Sequence, residues 1–218
     1  MKSPEILAYG ESHLLLRSGA ADPLTANRQV HGWRGALEAA GGFGPCRTGI
    51  RELLVAFDPQ QFPAADAADR IRARLALAPP PEAAASPVRE IPVSYGGRDG
   101  PDLQALAETL GLSPAEVVAF HAAPVYTVAF LGFLPGFPYL LGLDPRLTCP
   151  RKPRPSLRVP AGTVAVAGVQ TGIYPCASPG GWHGIGRTAL RLFEPAAEPP
   201  FALKAGDRVR FVPQEDGG

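Results

Sequence analysis

Glycine and proline together occupy 51 of the 218 positions, as 25 Gly and 26 Pro, against roughly 12% in average usage. Neither residue propagates a helix interior, glycine because of its backbone freedom and proline because it lacks an N–H and clashes with the preceding turn. A coiled coil or a simple helical bundle is therefore excluded. Hydrophobic residues still make up 45% of the chain, and neither a Gly-x-y period nor a polar tract is present, so collagen and wholesale disorder are poor readings. The two residues punctuate a folded, turn-rich chain. They are densest between positions 124 and 200, which hold 13 of the prolines and 10 of the glycines, and this stretch is where functional loops are expected.

A chain of 218 residues can form one large domain or two small ones with a real core. The net charge of +1, from 21 basic and 20 acidic residues, removes the electrostatic argument for nucleic acid or an anionic membrane as partner. Cys46, Cys149 and Cys176 lie far apart and form no Cys-x-x-Cys pair, which fits a reducing compartment. The first residues lack a signal-peptide core, and no run of about 18 apolar residues occurs. A soluble cytoplasmic protein is the expectation.

Residues 5–9 and 12–17 read as two strands around Gly10-Glu11, and 50–57 as a buried strand. The spacing predicts helices over 23–40, stopped by Gly41-Gly42, and over 64–78. This makes a small α+β domain over 1–78. A Pro/Ala-rich stretch at 79–87 reads as a stiff linker, and a second domain spans 88–218. It opens with a strand at 88–93, a Gly-rich loop at 95–100, a helix at 101–110 and a capping box at Ser113-Pro114-Ala115-Glu116 that starts a helix running to about His121. Short strands at 126–131, 157–159, 162–168, 187–193 and 207–212, separated by Pro and Gly turns, predict a β-barrel or a compact sandwich.

No phosphate-binding Gly loop, dinucleotide fingerprint, His-Glu-x-x-His or nucleophile elbow is present, so a nucleotide used in the reaction is expected on another subunit. No amidase-like Ser and Lys constellation is visible either, and no His and acid pair has metal-ligand spacing. Arg146, Arg151, Lys152, Arg154 and Arg158 place five cations in thirteen residues without a carboxylate, braced by Pro150, Pro153 and Pro155. Such a rigid basic segment suits capture of carboxylate or phosphate. A solvated loop, or arginines neutralised by acids elsewhere in the fold, is the competing reading and the favoured one from spacing alone. His13 and His31 read as surface or packing residues and His183 as exposed in a loop; His121, at a helix C-terminus, suits a capping or a proton-transfer role. Ser178-Pro179-Gly180-Gly181-Trp182 suits a barrel corner or a flat pocket wall. The aromatic loop 132–140, with Phe133 and Phe137, reads as a recognition surface or as a plug under the barrel, with recognition favoured.

Taken in order, Gly-Phe-Leu-Pro-Gly-Phe-Pro-Tyr-Leu-x-Gly-Leu (132–143), Pro-Arg-Lys-Pro-Arg (150–154), Val-Pro-Ala-Gly-Thr-Val (159–164), Gln-Thr-Gly-Ile-Tyr-Pro (170–175), Ser-Pro-Gly-Gly-Trp (178–182) and Ile-Gly-Arg-Thr (185–188) closely resemble a known family. It is that of the 5-oxoprolinase B subunit, also described as allophanate hydrolase subunit 1 or carboxyltransferase subdomain C/D, and it includes the inhibitor of sporulation kinase autophosphorylation. Pro-Val-Ser-Tyr-Gly-Gly-x-x-Gly-Pro-Asp-Leu (92–103) also fits, while the N-terminal part fits more loosely through Tyr9-Gly10-Glu11 and 53–59.

The resemblance implies a cyclophilin-like barrel after the α+β domain. It also implies work with a homologous C subunit, together with an A subunit, opening 5-oxo-L-proline to L-glutamate with ATP that this chain does not itself bind. Arg154 and Arg158 would then hold the substrate carboxylate or a phosphorylated intermediate, with Tyr139, Gln170, Ser178 and Trp182 lining the pocket. Phe133 and Phe137 would meet a partner, and His121 would be the candidate for proton transfer. Two other roles share the resemblance: inhibition of a histidine kinase through the loop around Phe137, and a carboxyltransferase-type role in urea or allophanate metabolism.

Overall fold

The computed structural model describes residues 3–77 and 87–214. The chain divides into two compact units, residues 1–85 and 86–218. Apart from Pro87, the stretch read as a linker at 79–87 lies outside the described residues.

In the first unit, β1 (Glu5–Tyr9), β2 (His13–Arg17), β3 (Cys46–Thr48) and β4 (Glu52–Ala56) form an antiparallel sheet in the order β1-β2-β4-β3. Alternate residues Leu14 and Leu16 of β2 and Leu53 and Val55 of β4 face inward. They meet Val30, Trp33 and Leu37 of α1 (Pro23–Ala40) and Ala67, Ile71 and Leu75 of α2 (Ala64–Leu77). The period of 2 in the strands and of 3.6 in the helices is what makes one core of them. β3 escapes the sequence reading because a three-residue edge strand carries too little pattern to show.

Helix α1 begins where Asp22 caps it, its side chain accepting from the Thr25 amide at 2.8 Å and the Thr25 hydroxyl at 2.7 Å. These bonds hold the Asp22 carboxyl below its usual range. Replacing a cap of this kind by alanine costs about 1 kcal/mol. Asp22→Ala is therefore expected to lower the thermal midpoint of the N-terminal unit measurably in calorimetry, and an unchanged midpoint would show that the cap does not hold this helix.

The second unit contains β5 (Val88–Tyr95), α3 (Leu103–Leu110), α4 (Pro114–Ala122), β6 (Tyr126–Leu131), β7 (Pro138–Leu141), β8 (Ser156–Val159), β9 (Thr163–Ala167), β10 (Gln170–Ile173), β11 (Ser178–Gly180), β12 (His183–Arg187) and β13 (Arg208–Pro213). Seven strands close a barrel in the order β10-β7-β6-β13-β5-β12-β9, and β8 pairs with β11 in a separate ribbon. Within the barrel only β5 and β13 pair in parallel. Its interior is filled from alternate positions: Ile91 and Val93, Tyr126 and Val128, Val164 and Val166, Val209 and Phe211. The other face of β9 is buried too, because Ala165 and Ala167 lie in a second cluster with Phe137, Val159, Tyr174 and Trp182. Among the described residues no helix is long and apolar enough to cross a membrane.

The strand expected over 187–193 is instead β12, which ends at Arg187; beyond it only Phe193 bridges to Phe201. Propensity favours Thr-Ala-Leu-Arg-Leu-Phe over His-Gly-Ile-Gly-Arg, but close packing decides otherwise. A Cβ on Gly186 would lie 2.7 Å from Val93 Cγ1, so only glycine lets β12 approach β5. Likewise a Cβ on Gly172 of β10 would lie 2.8 Å from Phe137 Cζ. His183 is correspondingly not in an exposed loop: it starts β12, half-buried, with Nε2 2.9 Å from the Pro150 carbonyl. Strands β7, β10 and β11 are additional to the sequence reading for the same reason, being short and rich in Pro and Gly.

Candidate functional site

Four pieces of chain meet at one side of the barrel. The β12–β9 register shifts between Gly184 and Gly186, and a shift of this kind re-aims a backbone group out of the ladder. Here the Gly184 amide donates to Asp102 Oδ2 at 2.8 Å, and the Asp102 amide donates to the Gly184 carbonyl at 3.0 Å. Asp102 occupies the N-cap position of α3, yet its side chain makes no capping bond. The Pro-braced segment 150–156 is pinned over this point by Lys152 N to the Gly181 carbonyl, 2.8 Å. Lys152 Nζ then reaches Asp102 Oδ2 at 2.8 Å and Ser156 Oγ at 2.7 Å.

These three side chains line a cleft of about 220 Å³ with Arg98, Arg158 and Arg187, Asp99 and Trp182. Lys152 and Asp102 are 15% and 26% exposed, so their pairing is partly desolvated and stronger than a surface ion pair. Arg187 lies 3.8 Å from Asp99. Arg98 and Arg158 form no ion pair among the described residues. The cleft therefore carries four cations against two carboxylates and suits an anionic ligand.

The structure brings together only part of the set read from sequence. Arg158 and Trp182 line the cleft, whereas Arg154 is exposed and not among its lining residues. Tyr139 touches Trp182 edge-on, with ring centroids 5.8 Å apart, and stacks on Phe130 at 4.5 Å, away from the lining set. Gln170 opens β10 with its Nε2 buried and unpartnered, and Ser178 Oγ bonds the adjacent Pro179 carbonyl at 3.2 Å. The basic segment divides. Arg146 is held by Asp144 through Nε at 2.9 Å and Nη2 at 2.6 Å, which pulls the Asp144 carboxyl down to about 2, and its guanidinium also covers Phe120. Neutralisation by an acid thus accounts for Arg146 and Lys152, but not for Arg151, Arg154 or Arg158, which form no ion pair among the described residues.

Three expectations need correction. Phe137 is 1% exposed in the second core cluster, so it cannot meet a partner; Phe133, 61% exposed, keeps its ring at the surface. His121 is fully buried and is not among the residues that line the cleft. Tyr95 Oη lies 2.8 Å from its Nδ1, and its Nε2 lies 2.9 Å from Thr171 Oγ1, whose hydroxyl donates to the Ala165 carbonyl. Since the Thr171 proton is committed to Ala165, its oxygen accepts from His121 Nε2–H, and Tyr95 donates to Nδ1. The ring is thus satisfied in its neutral form, and burial depresses its pKa to about 3. Finally, a Ser and Lys pair does exist, as Ser156 and Lys152, but with the Lys152 ammonium paired to a carboxylate it serves as a donor to Ser156.

Asp102, Ser156, Arg98 and Arg187 are the residues that sequence reading missed as site components. Asp102 and Arg187 lay within the strings 92–103 and 185–188, and the polar Asp102 immediately before a helix was the available signal.

Residues 4–203 match the family model described as carboxyltransferase domain, subdomain C and D. The chain is 56% identical over 128 residues to the 5-oxoprolinase B subunit of Escherichia coli O157:H7, a match covering 59% of each chain. It is 39% identical over 220 residues to the 5-oxoprolinase B subunit of Bacillus subtilis (strain 168), covering 95% of this chain and 92% of that one. Of solved structures, TTHA0988 matches with a TM-score of 0.79 and 41% identity over 93% of this chain, but over 40% of its own length. The chain thus spans less than two thirds of the Escherichia coli relative and of TTHA0988.

Proposed function

Since the chain belongs to the carboxyltransferase domain, subdomain C and D family, we propose that it is the B subunit of an ATP-dependent 5-oxoprolinase complex. In this reading it works in the cytoplasm with a homologous C subunit, together with an A subunit, to help open 5-oxo-L-proline to L-glutamate. The nucleotide sits elsewhere in the complex, in keeping with the absence of a phosphate-binding loop from this sequence. The observation that carries the site assignment is the cleft in which Arg98 and Arg158, both without an ion-pair partner among the described residues, stand beside Lys152. Their guanidinium groups suit a carboxylate on a small ligand. Relative to the sequence reading, Arg98 takes the place of Arg154. Phe133 is the partner-facing residue of its loop.

The test is ATP-dependent glutamate release by the chain purified together with the subunits encoded beside it. Loss of a hydrogen bond to a charged group costs about 1.5–3 kcal/mol, so Arg158→Ala is expected to raise KM for 5-oxoproline by roughly 10- to 100-fold, with Arg154→Ala close to unchanged. Full turnover at low substrate in Arg158→Ala would overturn the anion-site assignment, and no glutamate release from the intact complex would overturn the function.

A further inference from the structure

The hydrogen-bonding capacity at the Asp102, Lys152 and Ser156 junction is only partly used. Both bonds to the Asp102 carboxylate, from Lys152 Nζ and from the Gly184 amide, end on Oδ2, and Oδ1 has no partner among the described residues. The Lys152 ammonium carries three donors and commits two, to Asp102 and to Ser156. Ser156 accepts from Lys152, which leaves its own hydroxyl proton free to donate. The cleft therefore holds a charged acceptor next to two donors, all three side chains lining it. Lys152 and Asp102 are 15% and 26% exposed, so these groups stand in a partly desolvated cleft, where a matching ligand gains more than at an open surface.

We propose that Asp102, Lys152 and Ser156 form a recognition edge for a cis amide, with Asp102 Oδ1 accepting its N–H and Lys152 and Ser156 donating to its carbonyl oxygen. A trans amide points its N–H and C=O to opposite sides and cannot satisfy both sets at once. An amide closed in a small ring is held cis and presents both groups along one side, in the order that this edge requires. The cleft, at about 220 Å³, is below the range of drug-sized pockets and admits a single small ring. Arg98 and Arg158 in the same lining select a ring that also bears a carboxylate. This deepens the function proposed above and, in the choice of 5-oxoproline as ligand, rests on it.

The experiment is a ligand-observed NMR titration of the full chain, in complex with its co-purified subunits and without ATP, with two probes. One is 5-oxoproline; the other is its lactone analogue, in which oxygen replaces the ring N–H. Wild type is expected to bind the lactam at least about tenfold more tightly than the lactone, the scale of one charged hydrogen bond. Asp102→Asn retains an oxygen for the Gly184 amide but can turn an N–H₂ donor toward the ligand N–H, and is expected to bring the preference below about twofold. Circular dichroism checks that this variant is folded. Equal binding of the two probes by wild type, no detectable binding of either, or an undiminished preference in folded Asp102→Asn overturns the proposal. The wild-type comparison does not depend on the variant folding. A lactam preference abolished by Asp102→Asn in a complex that releases no glutamate would uphold this edge while sinking the 5-oxoprolinase function; glutamate release without such a preference would do the reverse.

Discussion

Phe137→Ala is expected to destabilise the barrel unit by about 3–5 kcal/mol, the usual cost of deleting a fully buried phenylalanine ring. The side chain is 1% exposed, and its ring meets those of Tyr139, Tyr174 and Trp182 at centroid distances of 5.0, 5.2 and 5.5 Å, the last two edge-on. Its partners cannot collapse onto the void, because Gly172 beneath it belongs to a barrel strand whose backbone is held by β7 and β9. Trp182, which loses an edge contact, lines the cleft, so the substitution is felt there as well. Phe133→Ala, four residues earlier and 61% exposed, is expected to stay within about 0.5 kcal/mol. The measurement is urea unfolding followed by Trp182 emission in a Trp33→Phe background, which leaves one tryptophan of the two. A loss below about 1 kcal/mol for Phe137→Ala would return this ring to the surface and restore it as a partner contact.

The second large effect is on pH. His121 has a folded-state pKa near 3, against about 6.5 in an unfolded chain, so between these values the unfolded chain binds a proton that the folded barrel refuses. The contribution is full above about pH 6.5 and is lost progressively as pH falls toward about 3. Between pH 7 and pH 5 the loss amounts to about 2 kcal/mol, at 1.36 kcal/mol per pH unit below the unfolded pKa. His121→Gln is expected to be less stable at pH 7, since Tyr95 and Thr171 lose a partner that fits both, but to show a flatter profile over this interval. Parallel profiles for the two proteins, in urea midpoints at pH 5, 6 and 7, would place the proton uptake on other groups.

Much of the fold was legible in the sequence for local reasons. Asp22 before Pro23, Gly41 after Ala40, and the reciprocal bonds of Ser113 and Glu116, at 2.8 and 3.3 Å, are short-range chemistry. The helices start and stop where those residues dictate. β12 was misplaced because strand propensity counts side chains, whereas Gly184 and Gly186 are in the strand for want of them. His121 shows the opposite limit: its position near the end of α4 was read correctly, but whether such a ring faces solvent or a barrel interior depends on β10 and β5, which supply Thr171 and Tyr95. In the cleft, Arg158 and Trp182 came from motif strings, while the Lys152 and Asp102 contact joins residues 50 positions apart and the Gly184 and Asp102 contact 82.

What the sequence determined by itself is thus the local chemistry: which segments turn, cap and alternate, and that a proline- and glycine-rich second half builds short strands, as a barrel or a sandwich, without long helices. Tertiary structure decided which of the clustered cations beyond Arg146 are paired and which of them share a cleft. Arg146 finds its acid two residues away and Lys152 finds one on a distant helix end, leaving Arg158 to share a cleft with Arg98. The reason is physical. Turn and cap preferences act over a few residues, whereas the charge and hydrogen-bonding state of a side chain depends on whatever the closed barrel places within about 3 Å of it.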